Sequence, residues 1–128
     1  MNNKVLIGPS TFAALDSSPA DKLIDAGFEI VNNPFGRKLT VKELINLLPG
    51  INGIIAGLED LNRVVMEGSN LRVISRCGSG LSNVDLKAAE SLGIKVLSTP
   101  DGPTTSVAEL TVGLLLSMIR SLYKMNMS

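Results

Sequence analysis

A chain of 128 residues, 45% hydrophobic and 19% charged, has the composition of one globular domain with a real core. Its lysines and arginines balance its aspartates and glutamates at 12 each, so bulk charge draws it neither to nucleic acid nor to a membrane. Histidine is absent and Cys77 is the one cysteine, which removes the commonest general acid/base, the commonest metal ligand and any internal disulfide.

No secretory segment precedes Lys4, so a reducing cytoplasm is the expected location. Val5, Leu6 and Ile7 predict a first strand, ended by Gly8-Pro9 and Ser10-Thr11. Ser18-Pro19 predicts a helix start, because serine caps free N–H groups and proline lacks only an N–H that would be unpaired there. Leu23, Ile24 and Ala26 continue that helix until Gly27. Phe28 to Val31 reads as a second strand and Asn32 to Gly36 as the loop after it. Thr40 and Glu43 have the capping-box spacing, with Val41, Leu44, Ile45 and Leu48 on one helical face and Pro49-Gly50 as the stop. Gly53 to Gly57 gives a third strand, and Leu61, Val64 and Val65 mark one side of the next helix.

Gly68-Ser69-Asn70 leads into Leu71, Val73 and Ile74, a buried strand with Arg76 at its end. Asp85 is a candidate N-cap for a helix through Ala88, Ala89 and Leu92, with Gly93 as its breaker, and Ile94, Val96 and Leu97 form a fifth strand. Short apolar strands alternating with helices signal a parallel sheet covered on both faces. The fold class is therefore α/β, a flavodoxin-like three-layer domain with a five-stranded parallel sheet. Its strand order, 2-1-3-4-5, follows from the fold class and not from any residue.

The last segment differs. Thr99 to Ser106 is rich in turn residues, Ser106 and Glu109 repeat the capping-box spacing, and a long helix follows. Val107, Ala108, Leu110, Val112, Leu114, Leu115, Leu116, Met118 and Ile119 make it apolar around nearly its whole circumference. The charge-free run from Leu110 to Ile119 is too short to span a bilayer, which takes about 20 residues. Such a helix expects cover on all sides, and a five-stranded domain supplies one.

Ligands of open α/β sheets collect at the carboxyl ends of strands. Arg76 stands at one, where it suits either a bidentate pair with a carboxylate or phosphate, or a structural salt bridge. Gly78 and Gly80 bracket Ser79 in a bend that can turn N–H groups toward an anion, although glycine turns are common at strand ends. Cys77 beside Arg76 is either an activated thiol or, more simply, a buried neutral one. Asn83 and Asp85 read as turn and cap residues; Thr104, Thr105 and Ser106 suit an anion at the helix N-terminus or its cap. Ser10 and Thr11 are a weak candidate phosphate loop. No Gly-x-Gly-x-x-Gly follows any strand, since Asn83 stands where a third glycine would fall after Gly78 and Gly80.

Arg76-Cys-Gly-Ser-Gly-Leu-Ser-Asn-Val-Asp85, then Ala88-Ala89 and Gly93-Ile94, then Ser98-Thr-Pro-Asp-Gly-Pro-Thr-Thr-Ser-Val-Ala-Glu-Leu110 and Gly113 to Arg120, resembles the D-isomer-specific 2-hydroxyacid dehydrogenases, most of all their phosphoglycerate-oxidising members. The resemblance implies a two-domain, NAD-dependent oxidoreductase acting on the CH–OH group of a D-2-hydroxy acid or the matching 2-oxo acid, homodimeric at full length. Residues 1–100 then correspond to the substrate-binding domain, and 101–128 to the crossing loop and helix leading to an NAD-binding domain absent here. By similarity the Gly78-Ser79-Gly80 backbone grips the substrate carboxylate, Arg76 touches a distal anionic group and Ser79 lies near the cofactor. 3-Phosphoglycerate and a non-phosphorylated acid both stand as substrates. The family's catalytic histidine, arginine and glutamate have no counterparts in this chain, so no catalytic residue is assigned and tight NAD binding is not expected. A truncated, non-enzymatic module that binds a carboxylate or pairs with another subunit is the alternative. The chain alone is expected to give no NAD-dependent turnover of any D-2-hydroxy acid above background, and a measurable rate in a spectrophotometric assay would contradict this.

Overall fold

The computed structural model describes residues 3–9, 18–101 and 104–127. Strands and helices alternate as β1 (Lys4–Ile7), α1 (Ser18–Asp25), β2 (Glu29–Asn32), α2 (Val41–Leu47), β3 (Gly53–Ala56), α3 (Arg63–Glu67), β4 (Val73–Arg76), α4 (Leu86–Ser91), β5 (Lys95–Ser98) and α5 (Thr104–Met127). All strand pairs are parallel and the order is β2-β1-β3-β4-β5, as the fold class implies. Every residue of β3 and β4 is buried, which is why these strands read as continuous apolar runs and not as alternating ones.

Side chains still alternate between the two faces. Leu6, Ile54 and Ile74 join Leu44, Leu48, Leu61, Val65 and Ala88 on the side covered by α2, α3 and α4. Val5, Ile7, Ile55 and Val73 join Leu23 from α1 and Ala108, Val112 and Leu115 from α5 on the other. Leu115 lies 3.5 Å from the point where a Cβ on Gly53 would stand, so α5 rests directly on the sheet there.

Side-chain caps start α2, α3 and α4, but the third helix begins later than the pattern suggests: Leu61 stands ahead of it in a bridge to Val84, and Val64 is exposed. Thr40 accepts the Glu43 N–H at 3.2 Å while Glu43 accepts the Thr40 N–H at 2.9 Å, completing the capping box. Asn62 and Asp85 cap α3 and α4 through the N–H groups of Val65 and Ala88. The second strand runs one residue later than the pattern suggests, since Phe28 is spent on a hydrogen bond to the Leu23 carbonyl that closes α1.

The last helix corrects one expectation. Thr104 and Thr105 are already helical, so Ser106 is the third residue inside α5, and Ser106 and Glu109 do not form a capping box. One face of α5 is buried, through Ala108, Thr111, Val112 and Leu115, while Leu110 is 45% exposed. The cover expected on all sides is therefore supplied on one. Among the described residues no helix is long and apolar enough to cross a membrane. Ser10 and Thr11 lie outside the described residues.

Arg37 donates to both Glu43 oxygens at 2.8 Å. That pair first, and the Thr40 N–H second, lower the Glu43 carboxyl from its ordinary 4.5 to about 2. A depressed folded-state pKa contributes stability that is fully present above the unfolded value and is lost as pH falls through the folded one. The contribution of Glu43 is therefore expected whole above about pH 4.5 and lost progressively toward about pH 2. Following its side-chain carboxyl resonance by NMR checks this, and a midpoint near 4.5 would contradict it.

Candidate functional site

Parallel strands place all five carboxyl ends on one edge, and the bend after β4 sits in the middle of it, between the exits of β3 and β5. The register pairs Ala56 with Arg76 and Arg76 with Ser98. Cys77 continues the ladder, donating to the Ala56 carbonyl at 2.8 Å. Gly78 then turns away with φ +115°, a conformation that L side chains rarely adopt. A Cβ there would lie 2.6 Å from Arg76 Nη1 and 3.1 Å from Asp101 Oδ1.

Thr99, buried at the exit of β5, fixes this turn. Its hydroxyl accepts the Gly78 N–H at 2.9 Å and donates to the Arg76 carbonyl at 3.4 Å, and its own N–H donates to the Gly78 carbonyl at 3.2 Å. The bend is thus built from both neighbouring strands.

Arg76 is only 9% exposed. Its Nη1 donates to the Cys77 carbonyl, its Nε is buried without a partner, and no ion pair holds it among the described residues. The salt-bridge alternative is therefore not what these residues adopt. Nη2 lies 3.9 Å from the point where a Cβ on Gly80 would stand, so the guanidinium lies against the bend. A buried cation with an unused donor is costly in a dry interior.

The amides of the bend are not all open. Gly78 N–H is taken by Thr99, and Ser79 N–H and Oγ donate to the two oxygens of Asp101, at 3.2 and 2.9 Å. Ser79 and Gly80 are exposed, and the Gly80 N–H has no acceptor among the described residues. Ser79 first, and the field of Arg76 last, hold the Asp101 carboxyl below its usual range. Burial pushes the Cys77 thiol up, with Thr111 Oγ1 3.3 Å from its sulfur, so it is the neutral thiol and not an activated one.

The crevice between β1 and β3, where the strand order reverses, is the usual ligand site of such sheets. Here Glu59 fills it. Glu59 is 2% exposed, and both its oxygens accept the Gly57 N–H, at 3.1 and 3.2 Å. A Cβ on Gly8 would stand 2.0 Å from Glu59 Oε1, so the exit of β1 admits a side chain only if Glu59 moves. Asn83 secures the arrangement by donating to the carbonyls of Gly57 and Glu59, at 3.0 and 2.8 Å. The open part of the edge is thereby moved to the bend at Gly78.

Arg76, Gly78, Ser79 and Gly80 are thus brought together as one feature. Sequence reasoning missed Thr99, Asp101 and Glu59. The first two follow β5 in Ser-Thr-Pro-Asp, where a hydroxyl and a carboxylate just past a strand end were the available signal.

Residues 11–124 match the catalytic domain of the D-isomer specific 2-hydroxyacid dehydrogenases. The chain belongs to that family. It is 36% identical over 121 residues to D-3-phosphoglycerate dehydrogenase of Sus scrofa, covering 93% of this chain and 21% of that enzyme. It is 35% identical over 88 residues to hydroxypyruvate reductase of Thermotoga maritima, covering 67% of this chain and 29% of that protein. In fold it matches the TT0316 protein of Thermus thermophilus, with a TM-score of 0.65 and 31% identity over 94% of this chain and 38% of the other. Apo D-lactate dehydrogenase of Escherichia coli matches with a TM-score of 0.60 and 26% identity, over 99% of this chain and 40% of that one. This member of the 2-hydroxyacid dehydrogenase family thus spans about a fifth of the length of the phosphoglycerate dehydrogenases it matches.

Gly8→Ala drives a methyl into Glu59 and is expected to cost about 1–3 kcal/mol, as overpacking typically does. In urea denaturation, Gly8→Ala with Glu59→Ala should cost less than the sum of the single changes, because the clashing carboxylate is gone; simple additivity would contradict the packing described.

Proposed function

We propose that this chain is the substrate-binding portion of an NAD-dependent oxidoreductase acting on the CH–OH group of a small D-2-hydroxy acid. Residues 1–100 bind the acid, and 101–128 lead toward a nucleotide-binding domain. The observation that carries this reading is the guanidinium of Arg76, buried against an exposed bend, where among the described residues neither its Nε nor the Gly80 N–H has an acceptor. A charge-assisted hydrogen bond from Arg76 and neutral ones from the bend suit the carboxylate end of such an acid.

Bound NAD would supply the hydride acceptor. The chain's residues fit only a limited part of that cofactor's contacts. No glycine-rich phosphate grip is present in the 128 residues, and Ser79, exposed at the rim of the bend, is the residue offered toward it. The work of these residues is to hold and orient the acid, which fixes its C2 relative to whatever lies above the sheet edge.

Titration with D-lactate, followed by two-dimensional amide NMR, is expected to shift Gly78, Ser79 and Gly80 selectively. Arg76→Gln should weaken the binding about tenfold, the scale of one charged hydrogen bond. Unmoved bend resonances at tens of millimolar acid would overturn the reading.

A further inference from the structure

Asp101 is a carboxylate already seated on the donors a substrate carboxylate would need. Its Oδ1 accepts the Ser79 N–H at 3.2 Å and its Oδ2 accepts the Ser79 hydroxyl at 2.9 Å. The same Oδ1 lies 3.1 Å, and Arg76 Nη1 2.6 Å, from the point where a Cβ on Gly78 would stand. Asp101 is nonetheless exposed, and follows Pro100 just past the end of β5. Its position is thus held by hydrogen bonds and by the charge of Arg76, not by burial.

We propose that Asp101 is an internal competitor for the acid site: it occupies Ser79 in the free protein, must swing away for an external carboxylate to bind, and thereby determines which acids are admitted. This rests on the carboxylate-binding reading of the bend given above. Two ligand carboxylate oxygens cannot share the Ser79 N–H and hydroxyl with Asp101 without placing like charges a few ångströms apart. A displaced Asp101 stays tethered to the end of β5, close to the bound acid. A singly charged acid meets its repulsion once. A phosphorylated acid carries further negative charge into the same field, so the device favours a small monoanionic acid over a phosphorylated one.

The depressed carboxyl of Asp101 agrees with this seating, since Ser79's two hydrogen bonds stabilise its charged form. Arg76 is the charged group that faces it among the described residues. Protonating Asp101 removes the competitor's charge, and its hold on Ser79 weakens.

The test uses the 128-residue chain with Asp101→Asn and Asp101→Ala beside the unchanged protein. D-Lactate and 3-phosphoglycerate are titrated against each, followed on the amide resonances of Gly78, Ser79 and Gly80. Core resonances of β3 and β4 report that each variant is folded. Both variants are expected to bind D-lactate about fivefold more tightly, and to gain more for 3-phosphoglycerate. Equal or weaker affinity for both ligands in the variants overturns the competition while leaving the bend as a carboxylate site. Equal gains for the two ligands overturn the selectivity. No shift in any of the three proteins rejects the carboxylate site itself, and the competition with it. A titration without ligand stands apart from affinity: the Ser79 amide shift should follow the ionisation of Asp101 in the unchanged protein and lose that step in both variants. A Ser79 resonance that ignores pH between 2 and 5, limits set at roughly two units and one unit either side of an ordinary carboxyl, overturns the seating.

Discussion

The absence of a side chain at Gly78 is the constraint on which the carboxyl edge of the sheet depends. Arg76 Nη1 and Asp101 Oδ1 close on the space where a Cβ would be, at 2.6 and 3.1 Å, and the backbone turns at φ +115° to make that possible. Any L side chain would have to push the guanidinium and the carboxylate outward while holding a disfavoured backbone conformation. Because a sheet interior is close-packed, the bend cannot yield by sinking. Cys77 is tied to Ala56 on one side and Gly78 to Thr99 on the other. The position of the charged groups is therefore set by main-chain geometry.

Two buried ionisable side chains, Glu59 past the end of β3 and Arg76 at the end of β4, sit at this edge and are treated differently. Glu59 is grounded on the Gly57 N–H and sealed by Asn83, so its burial is compensated locally. Arg76 keeps a buried Nε with no partner among the described residues. An unsatisfied buried donor costs about 1–3 kcal/mol in general, so a fold that retains one gives up stability at a chosen point. Asn83, which closes the Glu59 side, leaves its own buried Oδ1 without a partner among the described residues, so both sides of the edge carry one unpaired polar atom, a donor at Arg76 and an acceptor at Asn83. The switch between β1 and β3 is plugged by the protein's own acid, and the exit of β4 carries the unspent donor.

Much of the fold was legible in the sequence because parallel strands covered on both faces leave short unbroken apolar runs between glycines. The capping boxes show the limit of local patterns. Thr40 and Glu43 form one because Thr40 stays extended before α2. Ser106 and Glu109 have the same spacing and do not, because Thr104 has already begun the helix. The site was half legible for a different reason. Arg76, Gly78, Ser79 and Gly80 are neighbours along the chain, whereas Thr99 and Asp101 reach the bend from 21 and 22 residues away. They arrive only through the register that sets Ser98 beside Arg76. Glu59 was hidden because an acid in a loop reads as solvated, and its burial depends on Gly8, far back along the chain at the exit of β1.

The same residues connect the bend to the long helix. Thr111, fully buried on α5, accepts a hydrogen bond from Ser75 Oγ through its carbonyl at 3.4 Å, and its hydroxyl lies 3.3 Å from the Cys77 sulfur. Ser75 and Cys77 flank Arg76. The Thr111 hydroxyl donates to the Val107 carbonyl one turn back at 2.7 Å, so this polar residue is satisfied within its own helix while its oxygen faces the Cys77 sulfur. Sliding the helix by one turn would bring another main-chain carbonyl opposite Ser75, but would put Val107 or Leu115 in place of the Thr111 hydroxyl beside Cys77. α5 therefore seats on the sheet through Ala108, Val112 and Leu115, and meets β4 beside the site at Ser75 and Cys77, the two residues that flank Arg76.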